Sequence, residues 1–212
     1  MPELHTVALF AAAAFALIVV PGPNMIYILT RGIGDGRRAA LVSAVGVEVG
    51  TLVHILAAAV GVSALIAASS LAFDIVRLFG AAYLIYLGVR AIFAKDAVFG
   101  LGGSRSSATT WIVFRQGVLV NVLNPKVALF FLAFLPQFID PMRGPAATQI
   151  LALGVIFFAI ALAMDILYAM ASGSVGSFLR RRPQYLRWQR YLTGSVYIGL
   201  GLSAAVTGRN RG

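Results

Sequence analysis

The chain has 212 residues, of which 60% are hydrophobic and 11% charged, against roughly 25% charged in a soluble domain, so a water-soluble globular fold is excluded. Its net charge of +10 would suit nucleic acid, but the arginines fall in short stretches between long apolar runs. That is a membrane-topology pattern, not the basic face of a nucleic-acid reader. With no cysteine, disulfides, thiolate metal ligands and thiol redox chemistry are excluded as well.

Taken in order, the apolar runs predict six spans, each near or above the ~20 residues needed to cross a bilayer. Span 1 covers residues 4–30. No Lys or Arg precedes its apolar core, so it reads as a retained span and not as a secretory signal. Pro21-Gly22-Pro23-Asn24 interrupts it. Each proline removes a backbone donor and clashes with the preceding turn, and the residue before it is driven out of helical geometry. Irregular backbone at membrane depth is tolerated only inside protein or along a wet cavity. The glycines of 32–36 match no nucleotide-binding spacing and read as a turn. Span 2 (39–67) and span 3 (71–93) follow. Residues 100–107 are Gly/Ser-rich and read as part of a linker. Span 4 (111–139) carries a second break at Asn121-Val122-Leu123-Asn124-Pro125-Lys126. Span 5 (146–172) and span 6 (191–207) complete the set.

The expected fold is therefore an all-α integral membrane protein with six transmembrane helices. They form two inverted three-helix repeats with helices 1 and 4 broken: residues 1–99, a cytoplasmic linker at 100–110, and residues 111–212. Twelve Lys and Arg residues fall on one side of this arrangement and four on the other, with Lys126 left inside span 4. By the positive-inside rule the twelve face the cytoplasm and both termini face out. Interrupted spans in corresponding places of two halves point to a transporter's binding site.

Two kinds of residue are candidates for chemistry. Where a helix restarts in the membrane, its first amide groups lack intrahelical partners and carry positive partial charge, which suits a carboxylate. This nominates the restarts after Pro23 and Pro125 as substrate-binding elements, with Asn24, Asn121 and Asn124 supplying further amide contacts; the alternative is two structural kinks. Glu48, Asp165 and Lys126 are ionisable groups inside apolar runs, where each costs about 2.5–3.5 kcal/mol and is a functional candidate by default. Glu48 and Asp165 both fall about 10–14 Å from the inner surface at ~1.5 Å per residue. Two carboxylates at one depth suit an ammonium group or a coupling proton. Asp165 shares a helical stripe with Gly154, Phe158, Ala161, Tyr168 and Ser172. Gly46, Gly50, His54 and Gly61 share one face of span 2, and Glu48 points nearly the other way. The Gly46/Gly50 pair suits close packing, either within the subunit or in a homodimer. Lys126 reads equally as a fixed partner of one carboxylate, and His54 as an interhelical hydrogen bonder. The glycines of spans 3 and 6 read as packing positions.

Several stretches resemble the lysine exporter (LysE/RhtB) family of amino-acid efflux proteins: PGPN at 21–24, RGIGDGRRA at 31–39, GVEVGTLVH at 46–54, GAAYLIYLGVRA at 80–91, and FRQGVLVNVLNPKVALFFLAFLPQFI at 114–139. The likeness runs in order over nearly the whole chain. It implies a six-span, proton-driven exporter of amino acids or related small zwitterions in the inner membrane. It has no cofactor and is not an enzyme, and its partners are substrate, proton and lipid bilayer. The implied substrate-binding elements are Pro21, Gly22, Pro23, Asn24, Asn121, Asn124, Pro125 and Lys126, with Asp165 as the coupling acid. Glu48 departs from the small residue usual there and marks a subgroup with a different substrate. In the resulting mechanism the substrate carboxylate meets the restarted helix ends, its ammonium meets Asp165 and Glu48, and the two halves rock to switch access. The competing reading is a divalent-cation efflux protein using Glu48, His54 and Asp165.

Overall fold

The structure is a computed structural model that describes residues 3–93, 109–181 and 183–207. Residues 100–108 of the expected linker lie outside it. So do Lys95, Arg105 and Arg182 and the side chains of Arg180, Arg181, Arg187 and Arg190, which bear much of the charge asymmetry. Among the described residues the chain is helical, with no strand.

The first span is two helices, α1 (Leu4–Val19) and α2 (Pro23–Asp35), bent by 49° at the break. Val20, just before Pro21, is extended (φ −61°, ψ 120°), as the proline ring requires. Pro23 begins α2, where its missing N–H costs nothing. The turn expected over residues 32–36 shrinks to one residue. The helix continues to Asp35, and Gly36 alone turns the chain at φ 89° into α3 (Arg37–Ala68). Gly32 is instead a packing position: a Cβ there would lie 2.1 Å from the Ser172 hydroxyl. Helix α4 (Ser70–Phe93) follows after Ser69, whose side chain accepts from the Ala72 N–H at 3.2 Å.

The second half repeats this order. Helices α5 (Thr110–Val122) and α6 (Pro125–Leu129) meet at the second break, and α6 runs on through a wide turn at Phe130–Phe134 into a tight one at Leu135–Phe138. This arm, Pro125–Phe138, is bent 43° from α5. Then come α7 (Ala146–Arg181) and α8 (Pro183–Thr207). Helices α3, α4 and α7 are long and apolar enough to cross a membrane; counting each bent pair as one span brings the number to five, and the apolar part of α8 (Tyr191–Val206) is shorter.

The two halves interlock. Helix α4 packs along α8, and α3 lies against both α5 and α7. Glycine makes these approaches close enough for backbone to meet backbone. A Cβ on Gly46 would sit 2.3 Å from the Phe114 carbonyl oxygen, and one on Gly117 would sit 2.7 Å from that of Ser43. Gly88 and Gly194 face each other in the same way between α4 and α8. The Gly46/Gly50 face is thus taken by α5 of the same chain and is closed to a second copy. A phenylalanine cluster, in which Phe10, Phe130, Phe131 and Phe157 interleave at 4.9–5.9 Å, fills the core on the far side of the breaks from Gly36.

Candidate functional site

The interlocked helices bring the two breaks together although ~100 residues separate them. Three asparagines zip them. Asn24, in the first turn of α2, donates to the Asn121 side chain at 3.0 Å and accepts from Asn124 at 2.9 Å. Asn121 is fully buried and anchors this bridge to α3, donating to the Val47 carbonyl (2.6 Å) and the Thr51 hydroxyl (2.8 Å).

Each break frees backbone carbonyls at the end of a helix, and each end is capped by a side chain from elsewhere. Lys126, rising from α6, directs its ammonium at the carbonyls of Leu17 (3.0 Å) and Val20 (2.7 Å), the last turn of α1. A cation there also meets the negative end of the helix dipole. Gly22 keeps the path open, since a Cβ would lie 3.1 Å from the Lys126 ammonium. At the second break His54 bonds to the Asn121 carbonyl at 2.9 Å and stacks on Phe131. It is an interhelical hydrogen bonder directed at α5. No ion pair joins Lys126 to Glu48 or Asp165 among the described residues.

The helix starts differ. At α6 the Asn124 side chain accepts from the Lys126 N–H at 3.0 Å, closing a cap. At α2 the cap residue is Gly22, with no side chain to offer. The first turn of α2 therefore lacks a side-chain cap, and its residues Asn24 and Met25 border a cavity.

That cavity has a polar and an apolar part. Asn24, Glu48, Thr51, Lys126, Asp165 and Tyr168 supply the first; Leu17, Ile18, Met25, Val127, Phe157 and Ala161 supply the second. The space open to the centre of a water molecule is about 30 Å³, room for about two waters. Glu48 and Asp165 are 3% and 5% exposed and lie within interaction range of each other. Neither oxygen of Glu48 meets a hydrogen-bond donor. The nearby Thr51 hydroxyl is directed at the Val47 carbonyl instead (3.5 Å). Polar ties stand on both sides of the cavity. On one, Arg31 of α2 pairs with Asp35 and bonds Gln116 of α5, while Tyr27 donates to the Val113 carbonyl. On the other, Arg143 bridges Asp140 and Glu3.

Of the residues nominated from sequence, Asn24, Lys126, Glu48 and Asp165 line this cavity together. Asn121 and Asn124 lie behind it as the bracket that joins the breaks. Gly22 makes room for Lys126. Pro21 and Pro23 shape the first break and Pro125 starts α6, but none of the three borders the cavity. On α7 the stripe through Asp165 does face inward, with Ala161 and Tyr168 on the cavity, whereas Gly154 packs on Ile55 and Ser172 on Gly32. Apart from Ala161 on the Asp165 stripe, the apolar lining escaped sequence reasoning, because an apolar residue in an apolar span carries no mark of the direction it faces.

The LysE type translocator family description matches residues 15–208. The chain belongs to this family. It is 30% identical over 201 residues to a leucine efflux protein of Enterobacter sp. strain 638, covering 92% of this chain and 93% of that one. A leucine efflux protein of Klebsiella pneumoniae is also 30% identical, over 203 residues and 92% of each chain. A Vibrio cholerae protein described as an uncharacterized membrane protein is 29% identical over 203 residues, 96% of this chain and 98% of that one. No solved structure matches the chain. Family membership and apolar spans together make this LysE-type chain an integral membrane protein.

Proposed function

We propose that this translocator exports amino acids, preferably with apolar side chains, across the inner membrane in exchange for protons. The observation that carries the proposal is the cavity at the crossing of the two breaks. It sets a buried carboxyl pair, a side-chain-uncapped helix start and a lysine against an apolar wall, and an apolar amino acid has the complementary parts. Its carboxylate would take the α2 amides and the third N–H of Lys126, two of whose donors are already used. Its ammonium would take Asp165 and Glu48. The leucine efflux relatives support an apolar side chain.

Proton exchange follows from the carboxyl pair. Two carboxylates facing one another are acceptor against acceptor, and a proton on one supplies the missing donor. An arriving ammonium replaces that proton, and a returning proton expels the ammonium. The cavity holds only about two waters, so substrate enters after a rearrangement. Because the halves interlock through glycine contacts, rocking of whole halves would strip α3 and α4 from their partners. The broken spans, whose joints lack continuous helical hydrogen bonding, are the softer parts.

The repeated order of a broken span, a long helix and a further helix supports residues 1–99 and 111–212 as inverted repeats, joined by a cytoplasmic linker at 100–110. The basic residues support termini outside the cytoplasm. The divalent-cation reading has less support: His54 is directed at α5, and among the described residues no three His, Asp or Glu groups come together.

The test is efflux of labelled leucine from preloaded proteoliposomes under an imposed pH gradient. Gradient-dependent flux is expected, and Asp165→Asn should abolish its dependence on pH. Absence of flux for every amino acid tried would reject the proposal, and a fully pH-coupled Asp165→Asn would reject the assignment of the acid.

A further inference from the structure

Four residues of α7 border the cavity in one stripe: Phe157, Ala161, Asp165 and Tyr168. At ~1.5 Å per residue, Phe157 lies about 12 Å along the helix from Asp165, and Ala161 lies midway between them. The Phe157 end adjoins the large apolar cluster, which also holds Leu17 and Val127. Tyr168 adjoins a separate small cluster around Ile28, Ala44 and Val47. The cavity therefore has a charged region at Asp165 and Glu48 and an apolar region toward Phe157. On a helix, side chains lean toward the N-terminus and cover the preceding turn. The Asp165 carboxyl thus leans over the turn of Ala161, and a group docked on it has its next atoms at Ala161.

We infer that Ala161 is the residue that sets side-chain size in this translocator. Its methyl is the smallest surface on the stripe. Once the cavity has rearranged to admit substrate, it leaves the stretch between the ammonium-binding carboxyl and the Phe157 ring to a branched aliphatic side chain. Ala161 is 6% exposed and Phe157 2%, so both stand in packed core, where a change of even one methylene is felt. Enlarging residue 161 then excludes leucine before alanine, and shrinking it admits aromatic side chains. The inference rests on the amino-acid export proposed above.

The experiment measures efflux of alanine, leucine and phenylalanine from proteoliposomes bearing wild-type, Ala161→Val or Ala161→Gly protein, each first shown monodisperse in detergent. Ala161→Val is expected to lower the leucine-to-alanine efflux ratio by ~10-fold or more, the discrimination that a single methylene can give in an apolar pocket. Ala161→Gly is expected to raise the phenylalanine-to-leucine ratio. Should Ala161→Val misfold, the Gly variant, which adds no bulk, decides alone. Ratios unchanged from wild type in the folded variants overturn the inference while leaving export standing. Wild-type vesicles that move no amino acid overturn the export proposal itself.

Discussion

The two helix breaks are written in similar residues and finished in opposite ways. Both place a proline at the first position of the restarted helix and an asparagine beside it. At the second break the asparagine precedes the proline, so its side chain can fold back and cap α6 at 3.0 Å. At the first break the asparagine follows the proline. Glycine occupies the cap position, and Asn24 turns its side chain across to the other half of the protein. A shift of asparagine by two places relative to the start of the helix thus separates a break that satisfies its own helix start from one that leaves it to the cavity. The uncapped break at Pro23 is expected to bind and the capped one at Pro125 to support.

The strongest way to break that comparison is Lys126→Met. It removes the cation capping α1 and leaves the Leu17 and Val20 carbonyls without their charged donor. Efflux should fall by ~100-fold or more, about 2.7 kcal/mol of lost stabilisation, and stability in detergent by about 2–3 kcal/mol. Efflux kept within about twofold of wild type would show that the lysine does not serve the substrate. A sharper comparison comes from the asparagines. Asn121→Ala leaves buried groups on α3 and α2 unpaired and should cost about 2–3 kcal/mol, read as a lower thermal midpoint. Asn24→Ala borders the cavity, and should cost about 1 kcal/mol yet lower efflux disproportionately. Equal ratios of efflux loss to stability loss in the two variants would erase the distinction between binding and supporting breaks. The smallest effect belongs to His54→Phe. It keeps the stacking on Phe131 and loses one hydrogen bond to α5, for about 1 kcal/mol. Efflux and metal sensitivity should stay near wild type. A large change in metal sensitivity would instead revive the cation reading.

Much of this molecule was legible residue by residue. Pro21 and Pro125 announce the breaks, and the backbone just before each is extended as the ring demands. Asp165 and Glu48 stood out because charge is costly in lipid, and both line one cavity. Glycine misled once: Gly32, in a run that looks like a turn, sits inside α2 because Ser172 needs the space. Nothing local separates a glycine that turns the chain from one that admits a neighbour.

What the sequence by itself determined is where the two spans break, which groups are too costly to face lipid, and that the chain is built for a membrane. These follow from short-range rules: ring geometry, helix rise and the cost of an unpaired dipole. Only the tertiary structure decided that Lys126 closes α1 and not a carboxylate, and that Gly46 meets α5 and not a second copy. Those outcomes depend on partners about 70 to 110 residues away along the chain, and proximity of that kind comes from how whole helices interlock.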